Sequence, residues 1–121
     1  YGDTYKERST MGDLRLRVLA SLYEKHNVDM VFSGHVHSYE RSWPIRDGKV
    51  DQARGVRYVV AGGGGGGLES ASPSRAWFTQ RVYRGHHMCS VIIHDKTLQF
   101  QAFDLEGRLF DQMEIVKQPR E

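Results

Sequence analysis

Three segments rich in β-branched and aromatic residues fill the last third of the chain, and they constrain its fold more than any other feature. They are residues 87–94, 97–103 and 108–116, separated by Asp95-Lys96 and by LEG at 105–107. In the middle segment Leu98, Phe100 and Ala102 alternate with polar residues. A two-residue period gives a strand one buried and one solvated face, so the pattern predicts an antiparallel meander at the edge of a sheet.

The region before this meander has the pattern of a helix followed by a strand. Residues 10–26 contain good helix formers, and Thr10 with Asp13 resembles a capping box at the helix start. We expect the core-facing stripe of this helix to consist of Leu14, Val18 and Leu22, spaced four apart.

Two short apolar runs predict strands that are buried on both faces. They are VDMVFSG at residues 28–34 and VRYVVA at residues 56–61. A helix that leads into such a strand is half of an αβ unit, so the sequence predicts an α/β fold with one main helix, two buried strands and the C-terminal meander. Functional loops gather at the carboxyl ends of such strands.

Composition excludes several classes of function. The 121 residues include 17 basic and 15 acidic side chains, and a formal charge of +2 is too small to predict binding to nucleic acid or to a membrane surface. No apolar run approaches the roughly 20 residues of a membrane-spanning helix. The single cysteine excludes a disulfide within the chain. The start YGDTY, without methionine, is typical of a fragment or a processed product.

Six consecutive glycines, Gly62 to Gly67, follow the second predicted strand. They satisfy the GxGxxG pattern trivially, but no amphipathic helix follows to bind a dinucleotide pyrophosphate. A loop without side chains lets its backbone approach a ligand or another strand closely. We therefore regard Gly62, Gly63 and Gly64 as candidates for a substrate loop.

Two histidines, His35 and His37, stand at the end of the first predicted strand. Residues two apart point the same way if the strand continues, so both rings could converge on one ion, or serve two adjacent ions if the chain bends. Imidazole suits zinc, iron, copper and nickel, but two neutral nitrogens are too few for a catalytic ion. Glu40 and Asp104 have no spacing that points at the pair, and a bare HxH is also compatible with plain solvent exposure.

The surrounding residues resemble a known family. Residues 34–41, GHVHSYER, resemble the GHxHxYER signature of the purple acid phosphatases, which are calcineurin-like metallophosphoesterases. The segment before it, LRLRVLASLYEKHNVDMVFS, resembles the family's helix and strand that lead into the signature. The segment RGVRYVVAGGGGGG resembles the family's next strand and glycine-rich loop, and TLQFQAFDLEGRLFDQMEIVK resembles its C-terminal hairpin. The resemblance extends from about residue 13 to residue 117.

This resemblance implies that residues 1–121 form one partial domain, the C-terminal half of an α/β/β/α sandwich. It implies a centre of two metal ions, iron with zinc, manganese or a second iron, that hydrolyses phosphate esters. His35 would bind one ion and His37 its neighbour. Glu40 and Arg41 would brace the loop through a local ion pair or hydrogen bonds, and Tyr39 would pack beneath it. Members of the family are often secreted or lysosomal, which favours an extracytoplasmic location.

The other metal-binding motifs of the family, DxG, GDxxY, GNH[ED] and an isolated histidine, are absent from these residues. Gly2-Asp3-Thr4-Tyr5 does not match GDxxY, because its tyrosine falls one position early. Two cations without an anionic bridge repel each other, so we expect this chain alone to be inactive and do not require it to bind metal by itself. Exposed sheet edges predict self-association. A non-catalytic structural or interaction module is the alternative, while the helix argues against a cupin barrel.

Overall fold

In the computed structural model, which describes residues 14–69 and 76–118, one helix and three groups of strands are arranged in layers. The predicted helix start at Thr10 and Asp13 lies outside the described residues. A 3-10 turn covers Leu14–Arg17, and the helix α1 follows at Val18–Lys25. The strands are β1 (Met30–Ser33), β2 (Tyr39–Ser42), β3 (Ile45–Arg46), β4 (Lys49–Val50), β5 (Arg57–Ala61), β6 (Thr79–Tyr83), β7 (His87–His94), β8 (Thr97–Asp104) and β9 (Leu109–Val116).

The helix turns a different face to the sheet than its pattern predicts. Val18 is 73% exposed and Leu22 is 50% exposed, whereas Ala20 and Tyr23 pack against a buried cluster of the sheet. The ring of Tyr23 lies 6.3 Å from that of Tyr58 on β5. An aromatic side chain contributes more contact area than an aliphatic one, and here it occupies the inward position. The predicted core stripe is therefore wrong for Val18 and Leu22.

The first sheet has the strand order β1-β5-β2-β6. β1 and β5 run parallel, with Met30 opposite Arg57, whereas β2 is antiparallel to both β5 and β6. The prediction that both strands are buried on both faces is confirmed for β5, whose three central residues are buried, but it is wrong for β1. Among the described strands β1 pairs only with β5, so it lies at the edge of the sheet, and Phe32 is 47% exposed.

The antiparallel meander is confirmed, but among the described strands it forms a sheet of its own and does not lie at the edge of the first sheet. β7, β8 and β9 pair in order and antiparallel, with His87 opposite Asp104 and Thr97 opposite Val116. Phe100 and Ala102 are fully buried and Gln99 is exposed, as the two-residue period predicts. A short hairpin of β3 and β4 also forms, and its turn residues Asp47 and Gly48 both have positive φ, as a two-residue hairpin turn requires.

Two apolar clusters hold the layers together. One lies between the first sheet and the meander and includes Tyr39, Val59, Phe100 and Ala102. The other lies between the first sheet and the helix, around Tyr58 and Phe78. The α/β fold is thus confirmed as helix, mixed sheet and antiparallel sheet in succession. Within residues 14–69 and 76–118, no helix has the length and apolar character needed to span a bilayer.

Candidate metal centre

The segment 34–38, which we call the histidine loop, connects β1 to β2 through a sharp bend. Two hydrogen bonds close three-residue turns, from the Val36 amide to the Gly34 carbonyl (2.8 Å) and from the Ser38 amide to the Val36 carbonyl (2.9 Å). His35 has a φ of 70° and an exposed ring. The strand therefore does not continue through the pair, and the bend is the arrangement in which the two imidazoles can serve separate ions.

The segment 62–67, which we call the glycine loop, lies against the histidine loop because β1 and β5 are parallel neighbours whose carboxyl ends reach the same edge. The Gly62 amide donates to the Ser38 carbonyl (3.2 Å), and the Glu69 amide donates to the His37 carbonyl (2.9 Å). A Cβ at Gly62 would lie 1.8 Å from the Val36 carbonyl oxygen. Backbone packs directly on backbone here, so only glycine fits at residue 62.

His37 is held by its ring as well as by its backbone. Its Nδ1 lies 2.7 Å from the Gly67 carbonyl oxygen. A carbonyl can only accept, so Nδ1 carries a proton, and in the neutral ring Nε2 then keeps the lone pair. Histidines that bind metals usually donate their other ring nitrogen in this way. Nε2 of His37 is therefore the ring nitrogen that could hold an ion.

Two further histidines, His86 and His87, come close to the glycine loop. Nδ1 of His86 lies 3.2 Å from the Gly63 carbonyl oxygen, and the His87 amide donates to the same oxygen at 3.1 Å. The His87 ring is buried against Tyr39, with ring centroids 5.4 Å apart, and its Nδ1 is 2.8 Å from the Gly85 carbonyl oxygen. These contacts give His87 a packing role.

Tyr39 and Arg41 share a partner on the other sheet. The guanidinium of Arg41 donates to both carboxylate oxygens of Asp111 on β9, at 2.8 and 2.9 Å, and the Tyr39 hydroxyl donates to the same carboxylate. Both members of the ion pair are almost completely buried. A third donor of Arg41 reaches Gln80 at 2.7 Å. This network joins the first sheet to the meander directly beneath the histidine loop.

Burial alone would raise the pKa of the Asp111 carboxyl. The hydrogen bonds from Arg41 and Tyr39 and the charge of Arg41 outweigh burial and hold this pKa below its usual range. Burial also raises the pKa of the Tyr39 hydroxyl, and its bond to Asp111 raises it further. The carboxylate is therefore ionised and the phenol neutral over the physiological range.

Glu40 projects to the opposite face of β2, since successive strand residues alternate. It accepts a hydrogen bond from the Thr79 hydroxyl on β6 at 2.6 Å. The expected local ion pair between Glu40 and Arg41 is replaced by the pair of Arg41 with Asp111, because the two side chains lie on different faces. Tyr39 does lie directly after the histidine loop, fully buried.

Known proteins with similar sequences belong mostly to one family of phosphatases. No family model matches the chain. It is 30% identical over 115 residues to a nucleotide pyrophosphatase/phosphodiesterase of Hordeum vulgare, covering 85% of this chain and 31% of that protein. It is 29% identical over 136 residues to probable inactive purple acid phosphatase 1 of Arabidopsis thaliana, covering all of this chain and 22% of that protein. Purple acid phosphatase 21 of Arabidopsis thaliana is 43% identical over 65 residues, 54% of this chain and 13% of that protein.

A solved structure shows the same fold. The purple acid phosphatase PPD1 from yellow lupin (Lupinus luteus) seeds superposes with a TM-score of 0.77 at 24% identity, covering 88% of this chain and 20% of that chain. The chain is homologous to purple acid phosphatases. It spans between 13% and 31% of the length of the three curated relatives named above.

The described part of this purple acid phosphatase-like chain supplies an incomplete set of metal ligands. Across residues 14–69 and 76–118, no three His, Cys, Asp or Glu side chains are grouped so that they could hold an ion. His35 and His37 fit a metal as neutral donors. Glu40 and Asp111, the carboxylates on and opposite the strand that follows the histidine loop, are bonded to Thr79 and Arg41.

Sequence reasoning missed Asp111 and the carbonyl of Gly67. Asp111 had a usable signal, because it occupies an inward position of a strand whose alternate residues are apolar, and a buried carboxylate there requires a cationic partner. The role of Gly67 had no such signal, since a carbonyl group is present in every residue.

Proposed function

We propose that this chain contributes His35 and His37 to a centre of two metal ions that hydrolyses phosphate esters, with each imidazole bound to a different ion. The observation that carries the proposal is the bond from His37 Nδ1 to the Gly67 carbonyl, 2.7 Å long, which leaves Nε2 available at the carboxyl end of a strand. Homology to purple acid phosphatases supports the same reading of the pair.

When bound, the two ions would supply Lewis-acid stabilisation of the phosphate oxygens and an activated water. Iron with zinc, manganese or a second iron is the pair that we propose. The chain's own part is to hold two neutral nitrogen donors on a loop fixed from below by Tyr39 and Arg41. Gly64 has no atom of a non-neighbouring residue within 4 Å of a Cβ built there and remains a candidate for substrate approach.

Two imidazoles supply no negative charge, so paired cations would repel each other strongly without anionic ligands. We propose that these ligands come from outside the 121 residues, within one metallophosphoesterase domain to which residues 1–121 contribute a part. The small net charge favours a small phosphate ester over nucleic acid or membrane as the partner. An extracytoplasmic location belongs to the same proposal.

A second candidate is a non-catalytic module that keeps the fold without the chemistry. It is favoured by the names of two relatives, probable inactive purple acid phosphatases 1 and 27 of Arabidopsis thaliana, at 29% and 31% identity. Under this alternative the histidine loop would have no metal to bind, and its imidazoles would be replaceable.

Calorimetric titration of the 121-residue chain with Zn²⁺ separates the two candidates. We expect binding that His35→Ala and His37→Ala each weaken, while His94→Ala, which changes an exposed imidazole on β7, leaves the affinity unchanged. Hydrolysis of p-nitrophenyl phosphate by the same chain should stay at the uncatalysed rate. Zn²⁺ affinity that survives both loop substitutions would overturn the proposed metal role; the affinity is expected to be weak, because the anionic ligands lie outside this chain.

A further inference from the structure

We propose that the glycine loop is a positioning element for His37, in which the Gly67 carbonyl selects the Nδ1–H tautomer and the missing side chain of Gly66 makes room for the ring. The tautomer follows from the geometry of the chain alone. Its use, which is to present Nε2 to a metal ion, rests on the proposed function.

Three hydrogen bonds join the histidine loop to residues 62–69, which contain the glycine loop. The His37 ring donates to the Gly67 carbonyl at 2.7 Å, the Glu69 amide donates to the His37 carbonyl at 2.9 Å, and the Gly62 amide donates to the Ser38 carbonyl at 3.2 Å. Backbone and ring of His37 are thus both bonded to the same short segment. The ring is held at Nδ1 and the backbone of the same residue is held at its carbonyl, which gives the remaining ring nitrogen a defined direction.

Gly66 lies directly against the imidazole. A Cβ at this residue would be 2.5 Å from Cε1, 2.8 Å from Nδ1 and 3.0 Å from Nε2 of His37. Distances this short to three ring atoms place the added carbon in the volume that the ring occupies, since carbon atoms pack at about 3.5–4.0 Å. Alanine at residue 66 would therefore displace the ring from the Gly67 carbonyl.

The glycines are not required by backbone conformation. None of the six has a φ in the left-handed region, so ordinary residues could adopt their backbone angles. Space explains three of them: Gly62 faces the Val36 carbonyl, Gly63 faces the His87 ring and Gly66 faces the His37 ring. Packing on neighbouring groups thus accounts for these three glycines and not for Gly64, Gly65 and Gly67. Among the neighbouring groups, His37 is the one that would bind metal.

The tautomer can be measured directly by ¹⁵N NMR of the imidazole nitrogens in the full 121-residue chain, at a pH where the shifts show a neutral ring. We expect Nδ1–H for His37 in the unaltered chain and a shift towards Nε2–H in Gly66→Ala. Gly65→Ala is the matched control, because its Cβ meets nothing within 4 Å and this residue is not among the candidates for the substrate loop. Gly66 is exposed, and an unchanged amide fingerprint away from the loop checks that the variant is folded.

Titration with Zn²⁺ then tests the use of the tautomer. Loss of a group that orients a metal ligand typically weakens metal binding by about 10–100-fold. We therefore expect Gly66→Ala to raise the Kd for Zn²⁺ by at least about tenfold and Gly65→Ala to leave it unchanged. An Nε2–H ring in the unaltered chain, or equal tautomers in both variants, would overturn the positioning role. An Nδ1–H ring together with Zn²⁺ binding that neither His35→Ala nor His37→Ala weakens would instead overturn the proposed function and leave the tautomer assignment standing.

Discussion

Replacing Asp111 with asparagine should remove a large part of the free energy of unfolding. The Asp111 carboxylate accepts from the Tyr39 hydroxyl, from two nitrogens of Arg41 and from the Gln112 amide. Asparagine has a similar shape but no charge and only one acceptor oxygen. The guanidinium of Arg41, whose side chain is 8% exposed, would remain buried without a counter-ion.

The expected cost follows from this burial. Removing one partner of a buried ion pair costs about 3–5 kcal/mol, because the remaining charge is left uncompensated. A small domain has roughly 5–15 kcal/mol of stability in total, so Asp111→Asn should take away a fifth or more of it. At about 4 °C per kcal/mol, the lower bound of this cost corresponds to a fall in Tm of roughly 12 °C.

Urea denaturation followed by circular dichroism measures the difference at pH 7. Asp95→Asn serves as the control, because Asp95 is exposed in a turn with a φ of 53° that asparagine adopts readily. It should change the free energy of unfolding by less than about 0.5 kcal/mol. The double variant Arg41→Met with Asp111→Leu should be more stable than Asp111→Asn, since it leaves neither charge buried.

The effect of pH gives an independent check with a defined sign. The pKa of Asp111 is below its ordinary value of 3.8 in the folded chain, so its contribution is present above about pH 4 and is lost as the pH falls through the lowered folded value. The difference between the unaltered chain and Asp111→Asn should shrink over that acidic range. A cost below about 1 kcal/mol at pH 7, or a difference that grows on acidification, would refute the reasoning.

Three other predictions follow from the fold. Gly62→Ala should lower the free energy of unfolding by about 3 kcal/mol in urea titrations, because its Cβ would meet the Val36 carbonyl. Gly64→Ala should be neutral or stabilising by about 0.4–1 kcal/mol, and equal costs for the two variants would contradict the close packing of Gly62 on Val36. Burial, with a smaller effect of the Asp111 charge, raises the pKa of the Cys89 thiol to about 11. The thiolate fraction of Cys89 at pH 8 should therefore be about 100-fold below that of an ordinary thiol, and its reaction with iodoacetamide should be correspondingly slow until urea unfolds the chain. The open edge of β1 should give dimers or larger species in light scattering, which Ser33→Lys should reduce; a monomer at all concentrations would count against association.

Sequence patterns predicted the meander well because a two-residue period records one-sided burial directly. They failed for β1 and for the outward face of the helix, since burial there depends on which elements lie next to Phe32 and Val18 rather than on the residues themselves. β2 was missed for a related reason. Its residues YERS have no apolar period and are all buried, stabilised by partners as distant in sequence as Asp111.

The sequence predicted the two histidines of the candidate site but not the residues that hold the histidine loop in place. His35 and His37 were found from a local motif at a strand end, which the chain indeed places beside the glycine loop. The expected partner of Arg41 was local, but the structure provides one 70 positions away. The inward position of Asp111 indicates that it needs a cationic partner, but one sequence does not record which distant residue supplies it.

The antiparallel meander also bears on the order in which the chain folds. Its strands pair with their immediate neighbours through short turns, and local pairings of this kind form faster than distant ones. The contact of Arg41 with Asp111 closes a much longer loop and can form only when the two sheets dock. Weakening it should then accelerate unfolding and leave the refolding rate nearly unchanged, so that Asp111 governs how long the chain stays folded and contributes little to how quickly it folds.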